Sequence, residues 1–126
     1  MIIAVDFDGV LVEDQFPEIG PPKEEMVVLI RQLIATGYEV VLWTSRTDAR
    51  LAEAVEWCIA NGLRFSAIND QAPSNKAKYQ HIYPHGTRKV YADLYVDDHN
   101  IGYSEEITKQ ELRNLIWEVL EWKEEN

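Results

Sequence analysis

The stretch Ile2–Leu11, I-I-A-V-D-F-D-G-V-L, constrains the fold more than any other part of the chain. Its apolar opening runs without interruption into Asp6, Phe7, Asp8 and Gly9. A short continuous apolar run of this kind reads as a central strand buried on both faces. Two carboxylates one residue apart at the carboxyl end of such a strand lie close together, and like charges at that spacing oppose joint ionisation. A divalent cation with a preference for hard oxygen ligands, such as Mg²⁺, relieves that opposition. Gly9 lets the backbone turn sharply beside the pair. The plainer alternative makes Asp6 and Asp8 ordinary strand-end and turn residues.

The rest of the chain supplies a repeating frame for that strand. Val12–Pro22, with Pro17, Gly20, Pro21 and Pro22, reads as a loop leading into a helix over 23–36. Met26, Val27, Ile30, Leu33 and Ile34 recur there at helical spacing, and Gly37 ends it. Glu39–Trp43 is a second buried strand, followed by Thr44, Ser45, Arg46 and Thr47. A second helix carries Leu51, Val55, Cys58 and Ile59 on one face and stops at Asn61-Gly62. Arg64–Ile68 is a weaker third strand, ending at Asn69 and Asp70, and a short helix followed by loop is expected over 76–86. Leu94–Val96 is a fourth strand, running into Asp97, Asp98, His99 and Asn100. The last helix, about 108–124, opens on a Thr108/Glu111 capping box and carries Leu112, Leu115, Ile116, Val119 and Leu120 as its apolar stripe.

Strands alternating with helices predict a mostly parallel sheet with helices on its faces, an α/β Rossmann-like three-layer sandwich in a single domain, residues 1–126. Ligands bind such sheets at the carboxyl ends of the strands. Asp6 and Asp8, Thr44 and Ser45, Asn69 and Asp70, and Asp97 and Asp98 are thereby sent to one cleft.

Composition narrows the function classes. Lys plus Arg is 12 against 22 for Asp plus Glu, a net charge of −10 that repels polyphosphate backbones and disfavours a nucleic-acid partner. No apolar run reaches the roughly 20 residues of a membrane span. Ile2–Val5 is too short for a signal-peptide core and ends in acid, so a cytoplasmic protein is expected. The single Cys58 forms no internal disulfide and reads as a small buried hydrophobe.

The ordered motifs resemble those of the haloacid dehalogenase (HAD) superfamily. D-F-D-G-V-L looks like its first signature, W-T-S-R its second and Y-V-D-D its fourth, together covering residues 1–100. The resemblance implies a Mg²⁺-dependent phosphomonoester phosphatase with Asp6 as nucleophile and Asp8 as general acid and base. It implies metal ligation by Asp6, the backbone carbonyl of Asp8 and Asp97, with Asp98 direct or through water, and a phosphoryl contact from Thr44. Ser45 and Arg46 are candidate substrate contacts, Arg46 having a surface or salt-bridged role as its alternative. Short members of this kind place a phosphate-binding lysine just before the last core strand, which here is Lys89. Eight extended residues would hold Lys89 about 26 Å from Asp97, so it serves only if residues 90–93 double back. Lys76 is the alternative and needs no such fold-back. The short segments after the first motif and over 69–88 leave no room for a cap domain, so the site is open to a small or macromolecular phosphorylated substrate, or closed by a neighbouring subunit.

Two other readings stand beside the phosphatase: a regulatory or binding domain that keeps the pocket without turnover, and a phosphatase for polynucleotide ends. A signalling receiver domain also pairs acids, Thr and Lys, but does not carry its phosphoacceptor on the first strand. His81, His85 and His99 show no zinc-ligand spacing with Cys58, and only His99 follows the acid pair closely enough to touch the site. Trp117 and Trp122 widen the last helix's apolar face, as a homo-oligomer interface would require.

Overall fold

In the computed structural model, which describes residues 1–126, the opening apolar run is strand β1 (Ile2–Val5), buried along its whole length. The chain then forms β2 (Val12–Gln15), β3 (Glu18–Pro22), helix α1 (Glu24–Thr36), β4 (Glu39–Leu42), α2 (Asp48–Ala60), β5 (Ala67–Ile68), α3 (Pro73–Tyr79), β6 (Leu94–Val96) and α4 (Glu105–Glu125). Strands β5, β4, β1 and β6 lie in that order in one sheet, with every neighbouring pair parallel. The fold is the expected Rossmann-like α/β arrangement. Val5 pairs with Leu42 on one side and Val96 on the other, so β4, β1 and β6 end at one level. That register delivers Asp6, Trp43–Thr44 and Asp97 to one rim of the sheet.

Alternation along the strands divides the core in two. Ile3, Val5, Val40 and Leu42 face the larger core, which α1 fills with Met26, Val27, Leu29, Ile30 and Leu33, α2 with Ala54 and Cys58, and α4 with Leu112. Ile2, Ala4 and Val41 face a thinner layer made by Ala72, Val90 and Ala92. Phe7, just past β1, packs edge-on against Trp57 of α2 with ring centroids 5.5 Å apart. No helix is long and apolar enough to cross a membrane.

Four local expectations need correction. Residues 12–22 are a β-hairpin, β2 against β3, rather than a loop. Most of its residues are solvent-exposed, so it lacks the apolar alternation that marks a strand. The third strand is only Ala67–Ile68, at the sheet edge. Helix α3 starts at Pro73, earlier than Lys76, with proline in its first turn where no amide partner is needed. Helix α4 starts at Glu105, and Ser104, not Thr108, is its cap: the Ser104 hydroxyl accepts from the Ile107 amide.

Helix α4 is held by little. Leu112 is its one buried residue, Leu115 and Ile116 are partly covered, and Trp117 and Trp122 stand 60% and 63% exposed. Leu112→Ala should therefore lower the unfolding free energy by about 2–3 kcal/mol, whereas Leu120→Ala, half exposed, should cost under about 1 kcal/mol. Urea denaturation of the two variants would measure the contrast.

Candidate functional site

The rim of the sheet is built by main-chain bonds that carry each strand one residue past its end. The Asp6 amide donates to the Val96 carbonyl and the Trp43 amide to the Val5 carbonyl, both at 2.9 Å. Beyond them the carboxylates of Asp6, Asp97 and Asp98 converge, with oxygens from all three within 4.8 Å of one another. The Asp97 Oδ1 accepts from the His99 amide, and the Asp6 Oδ1 from the Phe7 amide. The Asp98 Oδ1 is buried without a hydrogen-bond partner, 3.6 Å from His99 Nε2. Gly9 makes this crowding possible: its φ is +86°, and a Cβ there would run into the Asp98 carboxylate.

An orphaned buried oxygen among three convergent carboxylates is a hard, all-oxygen donor set, which fits Mg²⁺ or a similar divalent cation.

Asp8 is held differently. Arg46, 1% exposed, grips both its oxygens: Nε donates to Oδ2 and Nη2 to Oδ1, each at 2.8 Å. The other guanidinium protons go to the carbonyls of Pro17, Glu18 and Arg50. The guanidinium carbon also lies 5.2 Å from the ring centroids of both Phe7 and Phe16. Every donor of Arg46 is thus in use, and the expectation that it contacts substrate is corrected. It fastens the hairpin to the rim and fixes Asp8.

A cleft of about 560 Å³ opens between the rim and the hairpin, with Asp6, Asp8, Thr44, Ser45 and Asp97 in its wall. The Thr44 amide donates to the Asn69 side chain at 2.8 Å, and the Thr44 hydroxyl accepts from the Arg46 amide at 3.2 Å. That hydroxyl keeps its own proton for a ligand.

Among solved structures, the conserved protein coded by a locus of Bacteroides thetaiotaomicron is similar to this chain, 36% identical over 90% of each chain, with a TM-score of 0.75. The chain belongs to the family of that conserved protein. No family model and no curated protein matches the chain.

Within this family member, neither candidate lysine reaches the carboxylates. Lys89 lies at the opposite end of the sheet, in a cavity with Met1, Ile2 and Glu39, its ammonium 5.6 Å from the Tyr95 ring centroid. The chain does turn before β6, but Asp93 is tied to Ile2, which holds the preceding residues at the amino ends of the strands. The expectation that Lys89 binds phosphate is corrected on that geometry. Lys76 is bound to Asp70 in a separate cavity beyond β5, so Asp70 also leaves the expected cleft.

Two residues at the site, Asp14 and Phe16, gave no sequence signal, whereas Asn69 was expected there as a strand-end residue. Asp14 and Phe16 enter the cleft wall from the hairpin, and Asn69 positions Thr44 from the end of β5. Asn69 has φ +48°, a left-handed conformation that asparagine tolerates better than most residues.

Electrostatics single out Asp6. Burial foremost, with the neighbouring Asp97, Asp98 and Asp8 carboxylates, pushes its carboxyl from 3.8 up to about 7, against the opposing effect of the Phe7 amide. Between those values the folded state binds more protons than the unfolded one, so stability falls as pH rises and levels off above about 7. In chelator, the melting temperature of Asp6→Asn minus that of wild type should climb from about pH 4 to about pH 7 and then stay flat. Thermal unfolding across that range reads the difference, and a constant difference would contradict the assignment. For the clasp, Arg46→Met should cost about 3–5 kcal/mol by leaving Asp8 unpaired in a largely buried setting. Hydrogen exchange should accelerate selectively at the amides of residues 12–22.

Proposed function

We propose that the protein is a Mg²⁺-dependent phosphomonoester phosphatase, a capless member of the HAD superfamily, working through an aspartyl-phosphate on Asp6. The observation that carries this reading is the convergence of Asp6, Asp97 and Asp98 oxygens at the ends of adjacent parallel strands, in the cleft that also presents Thr44. A carboxylate oxygen of Asp6 attacks phosphorus, the bond from phosphorus to the ester oxygen breaks, and that oxygen leaves with a proton from Asp8. A water molecule then attacks the aspartyl-phosphate, returns a proton to Asp8, and breaks the bond to Asp6. Ester and water have become alcohol and inorganic phosphate. The Thr44 hydroxyl donates to a phosphoryl oxygen, and Ser45 lies beside it in the cleft wall. Mg²⁺ held by Asp6, Asp97, Asp98 and the Asp8 carbonyl would supply the positive charge that balances these carboxylates against the phosphoryl oxygens.

The clasp on Asp8 favours a second reading, a domain that binds a cation and a phospho-ligand without turning it over. An Asp8 oxygen that carries a proton toward the ester is a poorer acceptor for Arg46, so turnover requires one of two 2.8 Å bonds to loosen. Phosphate release from a panel of phosphomonoesters, with and without Mg²⁺, separates the two. A phosphatase should release phosphate only with the metal and lose at least about 1,000-fold in kcat in Asp6→Asn. Metal-independent release, or full activity in the variant, would sink the proposal. Mg²⁺ binding with no release from any ester would favour the second reading.

A further inference from the structure

The cleft offers little to a substrate whose remaining part is anionic. Its wall carries four carboxylates, those of Asp6, Asp8, Asp14 and Asp97, against one basic side chain, His99, and no lysine or arginine. Arg46 has spent its donors on Asp8 and three carbonyls, while Lys76 and Lys89 line other cavities.

The hairpin side of the wall has a different character. Phe16 and Asp14 stand there, while a second aromatic side chain, Trp43, lines the cleft from the rim end of β4. Phe16 is 58% exposed although its ring already meets Arg46, so much of it is open to a ligand. Asp14 uses Oδ1 to accept from the Phe16 amide at 3.2 Å, which leaves Oδ2 free. Aromatic faces beside a free carboxylate are the chemistry that binds an organic ammonium: ring quadrupoles attract the cation and the carboxylate balances its charge. At about 560 Å³ the cleft suits a small molecule.

We propose that the substrates are phosphomonoesters of small cationic alcohols, amino or quaternary ammonium alcohols, with the ammonium group held by Asp14 and Phe16 of the hairpin. This inference rests on the phosphatase reading and adds the identity of the leaving group. The phosphoryl end lies at the rim, where a divalent cation would offset the carboxylates, and the ammonium group lies beside Asp14 under the hairpin.

The test compares two esters of one shape, trimethylammonioethyl phosphate and its uncharged carbon isostere neohexyl phosphate, with p-nitrophenyl phosphate as an activity standard. Wild type should favour the ammonium ester by roughly 10-fold in kcat/KM, the size expected of cation–π contacts joined to one partly exposed ion pair. Asp14→Asn retains the acceptor for the Phe16 amide and should bring the ratio of the two esters close to 1. Phe16→Leu should lower the ratio as well, and Glu121→Gln, on α4 away from the cleft, should leave it as in wild type. Equal kcat/KM for the two esters, or a preference that persists in Asp14→Asn, would overturn the inference while the phosphatase reading stands on p-nitrophenyl phosphate. Absence of Mg²⁺-dependent release from all three compounds would overturn both.

Discussion

A guanidinium with no exposed surface must place all its donors on protein acceptors, and Arg46 does so across three separate segments. It holds the Asp8 carboxylate after β1, the hairpin carbonyls of Pro17 in the turn and Glu18 at the start of β3, and one carbonyl in the first turn of α2. Val12 and, in part, Ile19 anchor the base of the hairpin in the larger core, and the clasp adds the attachment of its exposed outer part over the cleft. Buried charge is costly unless paired and fully hydrogen-bonded, and that condition ties the hairpin, Asp8 and α2 into one geometry. The position of Phe16 and Asp14 in the cleft wall follows from it.

The second constraint is the crowding of Asp6, Asp97 and Asp98. Parallel strands in register bring their carboxyl ends to one level, and acids placed there cannot avoid one another. Gly9 permits the closest approach by having no Cβ where the Asp98 carboxylate sits. Burial first, and the neighbouring acids after it, raise the Asp6 carboxyl, while one Asp98 oxygen is buried without a partner. A proton or a cation relieves that crowding, and this preference links the fold to the proposed chemistry.

Much of this was legible one segment at a time. The I-I-A-V run, the stripe Met26–Ile34 and the Gly37 stop are local signals whose physics acts within a few residues, and the strands and helices they predict are present. Residues at the ends of β1, β4 and β6 were equally legible, because a parallel sheet gives them a common address, whereas Asp70 past the short edge strand β5 turned to Lys76 instead. The hairpin was not, since proline and exposed polar residues read as loop unless something outside the segment holds them in register. The cap of α4 was misplaced for a local reason: Ser104 and Thr108 are both competent caps, and the choice depends on where Tyr103 and Ser104 leave the loop after β6.

By itself, then, the sequence determined the parallel α/β frame and which carboxylates stand at its carboxyl rim, because strand periodicity and strand ends are set by neighbouring residues. Tertiary structure alone decided the direction of the long cationic side chains. Arg46 could have faced solvent or substrate, and turned inward because a largely buried carboxylate and three backbone carbonyls met there. Lys89 could have reached the rim only if the chain before β6 doubled back toward it, and the Asp93–Ile2 bonds hold that segment at the other end. A flexible side chain several ångströms long takes its direction from partners remote in sequence, and no local pattern encodes them.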